Sequence, residues 1–222
     1  MKILGINGSP RGSRSQTLRL VRAVLDGAAS AGADVELVDL CKLRIEYCNG
    51  CLVCCERGEC VRDDDFAGLY RKMLASDGIV LGSPNYIDSV TAQTKTLLDR
   101  MADAIHCQLF TGKYGCAVAT AGGSGADEIV AYLNRVLQTL GANTVGGLGV
   151  VLGGDPETIV PAEGKAYQLG RRLAGAIERK ETYPEQEQLH AAMRERMQGL
   201  VLANKDRWHH EYDYWQTAAR TP

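Results

Sequence analysis

The chain carries little net charge, few aromatic residues and no long apolar run, and each shortage narrows what it can do. Its 25 Lys and Arg nearly balance its 27 Asp and Glu, for a formal net charge of −2. That gives no sign of the basic face by which proteins hold nucleic acid or an anionic membrane, and neither partner is expected. No apolar stretch approaches the ~20 residues that cross a bilayer, so no membrane partner is expected. The N-terminus has one basic residue and a short apolar run before Asn7-Gly8. It reads as a first strand and not as a signal peptide, so the expected location is cytoplasmic. The 4 His show no ligand spacing to the cysteines, and both of the 2 Trp lie beyond position 207.

Cysteine, by contrast, is concentrated. Of 8 cysteines, five fall in one short segment: Cys48, Cys51, Cys54, Cys55 and Cys60. Three at two-residue gaps and a fourth five residues on can set four thiolates around one small inorganic centre. In a reducing cytosol such a group reads as a metal or redox site rather than a disulfide framework. Cys41, Cys107 and Cys116 read as structural, since buried cysteine acts as a small hydrophobe.

A chain of 222 residues fits one good-sized domain with an appendage. Strand patterns are predicted over 2–7, 35–40, 78–81, 114–119 and 144–152. Helical spacing of apolar residues is predicted over 15–31, near 66–74, and over 90–105, 128–140 and 161–180. The alternation of strand and helix implies a parallel sheet with helices on both faces. Five strands fit a flavodoxin-like three-layer α/β sandwich in the order 2-1-3-4-5. Residues 1–180 are read as this domain, with the cysteine-rich segment at 48–60 as an insertion. Residues 181–222 form a charged helical stretch and an aromatic tail. That tail is read either as a strap over the domain or as an oligomer contact. Asp63–Asp65 reads as a cap of the next helix.

In an open parallel sheet, ligands sit beyond the carboxyl ends of the strands. Three loops leave strand ends here. Gly8-Ser9-Pro10-Arg11-Gly12-Ser13-Arg14-Ser15-Gln16-Thr17 offers hydroxyls, two guanidiniums and free amides at a helix N-terminus, which suits a phosphate. It lacks the Gly-Lys-Ser/Thr ending of a Walker loop and is not the dinucleotide fingerprint. Gly82-Ser83-Pro84-Asn85-Tyr86-Ile87-Asp88-Ser89 offers amides and an aromatic ring to a flat heterocycle. Thr120-Ala121-Gly122-Gly123-Ser124-Gly125 allows close backbone approach.

Together with Ala92-Gln93, Lys95 and Asp99-Arg100 downstream, these loops resemble the NADPH-dependent FMN reductase family of flavodoxin-like proteins. The cysteine segment followed by Asp63–Asp65 is similar to the iron–sulfur flavoprotein branch, over roughly residues 1–180. The resemblance implies that Ser9, Arg11, Ser15, Gln16 and Thr17 hold the phosphate of FMN. It implies that Pro84, Asn85, Tyr86 and Ile87 line the isoalloxazine ring, and that Ala121, Gly122 and Gly123 close over its other end. Asp88 departs from the family's small residue at that position and is expected to point away from the ring.

The same resemblance implies a [4Fe–4S] cluster on Cys48, Cys51, Cys54 and Cys60, with Cys55 as a surplus. Spacing alone leaves zinc, a redox disulfide within 51–55 and an empty site open, although zinc usually takes two separated pairs. The function expected is that of an FMN-dependent oxidoreductase, with NAD(P)H or a ferredoxin as donor and a homodimer or homotetramer as the assembly. A non-catalytic electron carrier and a thiol or metal redox sensor are the alternatives.

Overall fold

The computed structural model describes residues 1–218, and five parallel strands set its frame. These are β1 (Lys2–Asn7), β2 (Asp34–Asp39), β3 (Gly78–Pro84), β4 (Tyr114–Ala121) and β5 (Asn143–Val151), in the order 2-1-3-4-5. The helices are α1 (Gln16–Ser30), α2 (Val53–Arg57), α3 (Phe66–Leu74), α4 (Ala92–Asp99), α5 (Ala102–His106), α6 (Ala126–Thr139), α7 (Ile159–Arg179), α8 (Pro184–Ala203) and α9 (His209–Ala218). Side chains alternate across the strands, as the pleat requires. Ile3, Val80, Cys116 and Val118 join one core with α1 and α7. Leu4, Ile6, Ile79, Leu81, Ala117 and Ala119 join the other, with α3, α4, α5 and α6. The flavodoxin-like three-layer sandwich expected from the sequence is the fold observed.

The layer of α1 and α7 packs without room for side chains at its contact. A Cβ on Gly27 would lie 1.9 Å from the Tyr167 carbonyl oxygen, and one on Gly170 would lie 1.8 Å from that of Val24. On the opposite face, the single helix expected over 90–105 is two. It breaks at Arg100 and Met101, whose amides bond three residues back, to Leu97 and Leu98. The break coincides with the Arg100 side chain turning inward to Asp64 and the Glu46 carbonyl.

The tail follows the domain as α8 and α9. The 178–196 stretch is largely exposed, as its charges require, while Met197 and Val201 further along α8 are buried. Trp208 is buried in a small third core with Cys55 and Val201. The aromatic tail therefore packs onto the cysteine segment of its own chain, as a strap would. No described helix is long and apolar enough to cross a membrane.

Candidate functional site: a loop cleft and a cysteine segment

The carboxyl ends of β1, β3 and β4 bring the three loops together. One cleft is lined by Ser9, Arg11, Ser15, Gln16, Thr17, Pro84, Asn85, Tyr86, Thr120, Ala121, Gly122 and Leu152. Ser15 caps α1, its Oγ accepting the Leu18 amide at 3.0 Å. The amides of Gln16 and Thr17, in the first turn, have no acceptor within the helix, and the helix dipole adds positive potential there. Ser9 is buried, and its Oγ accepts the Arg11 amide at 3.3 Å. The Thr17 and Thr120 hydroxyls meet at 2.7 Å, which fastens the first loop to the end of β4. Asn85 is fixed by its amide, which donates to the Thr120 carbonyl at 2.7 Å, and by Nδ2, which donates to Ser124 at 2.9 Å. Its Oδ1 is buried and has no partner.

Ten of the twelve residues nominated for this site line the cleft; Ile87 and Gly123 do not. Tyr86 and Ser89 exchange backbone hydrogen bonds, which closes a two-residue turn with Ile87 at φ 51° and Asp88 at φ 54°. That turn lifts Ile87 fully into solvent and leaves Asp88 exposed and off the cleft wall. Gly123 is exposed, one residue past the lining Gly122. Thr120 and Leu152 were not nominated. Thr120 is the penultimate residue of β4 and Leu152 the first beyond β5, so the strand-end rule alone could have found them.

In the cysteine segment Cys48 and Cys51 are exposed, Cys54 and Cys60 half-buried, and Cys55 buried. Left-handed backbone at Leu52 (φ 63°) and Gly58 (φ 80°) brackets α2, so the chain turns sharply on either side of Cys54 and Cys55. The Gly50 amide donates to Cys48 Sγ at 3.4 Å. A hydrogen bond with the Cys55 thiol draws Cys54 down to about 7, against the opposing effect of burial. The same bond, together with burial, pushes Cys55 up.

Beneath the segment, Arg100 and Asp64 form an ion pair whose side chains are 1% and 0% exposed. The guanidinium also lies over the Phe66 ring at 4.3 Å and beside Cys60, yet its Nε and Nη2 are buried without partners. Burial pushes the Asp64 carboxyl up. Hydrogen bonds from Arg100 and from the Glu46 and Phe66 amides outweigh this and hold it below its ordinary value. The aspartate run does more than cap α3. Asp64 accepts the Phe66 amide at 3.0 Å, but Asp65 accepts the Arg44 amide instead and clips the start of the segment to the helix.

Two expectations about side chains change here. Cys107 and Cys116 are buried, but Cys41 is exposed, with its thiol on Asp39 at 3.3 Å. His106, which sequence spacing separated from the cysteines, meets Cys55 at 3.8 Å, because α5 and α2 pack together under the tail. No local pattern in the sequence announces that meeting.

A five-stranded parallel sheet with a phosphate-type loop after β1 and an open cleft over β1, β3 and β4 defines a flavodoxin-like protein. The chain belongs to the NADPH-dependent FMN reductase family, which it matches over residues 1–157, and to its iron–sulfur flavoprotein branch. It is 40% identical to an iron–sulfur flavoprotein of Archaeoglobus fulgidus over 186 residues, 81% of this chain and 82% of that protein. Among solved structures, a flavone reductase matches with a TM-score of 0.66 at 22% identity, covering 80% of this chain and 63% of that one. An FMN-dependent NADH-azoreductase from Bacillus anthracis, in complex with FMN, matches with a TM-score of 0.62 at 15% identity over 78% of this chain and all of that one. At these identities the structural matches bear on the fold alone.

Proposed function

We propose that the chain is an FMN-dependent oxidoreductase with a [4Fe–4S] cluster as its second redox centre, and with NAD(P)H or a reduced ferredoxin as donor. The observation that carries this reading is the convergence of the three loops on one cleft. The residues fit the cofactor. First-turn amides and Arg11 suit a dianionic phosphate. The unpaired Asn85 Oδ1 needs an N–H donor, which a flavin ring carries. Nothing lies within 4 Å of a Cβ built on Gly122, so the rim is open there. In this reading Ser9, Arg11, Ser15, Gln16 and Thr17 hold the phosphate. Pro84, Asn85 and Tyr86 serve the ring and Ala121 and Gly122 its far end, with Ile87 and Gly123 on the rim just outside the lining.

FMN, once bound, takes two electrons and gives them singly, whereas a cluster takes one, so the pair converts one kind of transfer into the other. The cleft lining contains no carboxylate and no histidine, so its side chains bind and orient. Cys48, Cys51, Cys54 and Cys60 are the proposed cluster ligands. The Gly50 amide on Cys48 and the spare donors of Arg100 beside Cys60 supply the hydrogen bonding that thiolate-bound clusters use. Tyr86 and the wholly exposed Ile87 give the cleft an apolar rim. A homodimer or homotetramer that covers this rim is part of the proposal, and sedimentation of the flavin-loaded protein tests it.

The visible spectrum of anaerobically prepared protein, with iron and sulfide assays, tests the cofactors. Flavin bands over a broad shoulder, with iron and sulfide present, are expected. Flavin without iron, or zinc in its place, would remove the cluster, and absence of flavin would remove the whole reading. Steady oxidation of NAD(P)H with a quinone acceptor supports the enzyme. No turnover with either donor would make the protein an electron carrier.

A further inference from the structure

Cys55, the cysteine left over from the proposed cluster ligands, lies at the meeting point of α2, α5 and α9. Its Sγ is 3.8 Å from His106 Nδ1, and both carboxylate oxygens of Glu211 lie 3.0 Å from that same nitrogen. All these ligand atoms fall within 4.8 Å of one another. Cys55 and Glu211 are wholly buried. We propose that Cys55, His106 and Glu211 bind one divalent first-row metal ion of zinc type, at a site separate from the four-cysteine run.

One sulfur and two oxygens converge on Nδ1, which places three ligand donors of different kinds around one point. A catalytic thiol relay is excluded, because it needs the thiol and the carboxylate on opposite ring nitrogens. The surroundings are also short of positive charge. Asp103 lies close by, along with the thiols of Cys54 and Cys107. The imidazole of His210 faces Asp103 at 3.4 Å. A bound metal ion would offset the negative charge of Glu211 in this company.

The distances suit a metal. Zn–N and Zn–O near 2.0–2.1 Å and Zn–S near 2.3 Å give tetrahedral edges of about 3.3 Å (N–O) and 3.5 Å (N–S), against 3.0 Å and 3.8 Å between the same atoms here, so a shift of a few tenths of an ångström seats the ion. Sulfur, nitrogen and oxygen donors together, with a fourth position left open, suit zinc. The His106 ring and backbone are both fixed by the tail. It stacks on Trp208 with centroids 4.9 Å apart, and its carbonyl accepts Trp215 Nε1 at 3.1 Å. Binding would release the Cys55 thiol proton and any proton on Nδ1, and would latch α9 onto α2.

The proposal does not depend on the flavin reading. Its test uses the full chain carrying Cys48→Ser, Cys51→Ser and Cys60→Ser, chelator-treated and then titrated with Zn²⁺ or Co²⁺. One equivalent per chain is expected, with a change in tryptophan emission, since both tryptophans contact His106. Co²⁺ should add a thiolate charge-transfer band. Adding Glu211→Gln or Cys55→Ser should weaken binding by ~100-fold or more, with circular dichroism unchanged. No binding by the triple variant would overturn the proposal, whether or not the further variants fold. Binding that survives Glu211→Gln and Cys55→Ser unchanged would also overturn it.

Discussion

In the loop cleft, order comes from the sheet. Ser9 follows β1, Asn85 is tied to the Thr120 carbonyl, and the Thr17 and Thr120 hydroxyls join the start of α1 to the end of β4. In the cysteine segment no strand takes part. Its supports are the Asp64–Arg100 pair, the Asp65 clip to Arg44 and a tail that arrives from beyond position 200. The cleft is therefore a property of the fold, while the segment depends on a few buried polar contacts and a strap. The two regions should fail separately, and the separation is measurable.

The largest effect is expected at Arg100. Arg100→Leu strands the Asp64 carboxylate, wholly buried, without its cation. Breaking such a pair from one side costs about 3–5 kcal/mol. Urea unfolding should show that loss, and iron retention should collapse while the folded fraction still binds FMN. Equal loss of iron and flavin would break the distinction drawn between the two regions.

Next comes the cleft. Arg11→Ala with Ser15→Ala removes a guanidinium and the cap of α1. Together these should weaken FMN binding by about 100-fold, or roughly 3 kcal/mol. The cap itself is worth about 1 kcal/mol of stability. Fluorescence titration with FMN reads the affinity, and unchanged binding would show that the phosphate loop is misassigned. Iron content should be untouched.

Acid should act mainly on the segment. Asp64 is held below its ordinary value of about 3.9. Its folded-state stabilisation is thus present above that value and is lost as pH falls through the depressed one. Stability measured from pH 6 to pH 3 should drop more steeply in the native chain than in Asp64→Asn, which has no carboxylate to protonate. Parallel curves would assign the acid sensitivity elsewhere.

This contrast also explains what the sequence made legible. The sheet order and the three loops at strand ends follow from local patterns, whereas the individual cleft residues, ten of twelve of which line the cleft, come from the resemblance to the FMN reductase family. Ile87 stands off the cleft wall because a left-handed two-residue turn at a β-branched residue breaks the usual backbone preference, which no local pattern announces. The split of α4 from α5 was hidden because Arg100 reads as a surface residue until Asp64, 36 positions away, is seen to bury it. The contact of Cys55 with His106 and Glu211 spans three elements, and no periodicity encodes it.

The smallest effect is expected from Trp215→Phe. The substitution keeps most of the apolar contact and removes one donor, Nε1, from the His106 carbonyl. A single neutral hydrogen bond contributes about 1 kcal/mol. Global stability should barely move, and FMN affinity should not move at all. The tail should open more often, by roughly five-fold for that energy, and expose Cys55, which is buried beneath it. The rate at which Cys55 reacts with a thiol reagent, read by peptide mapping against the exposed Cys41, measures that opening. If Cys55 reacts no faster, the tail is held by Trp208 and Val201 alone.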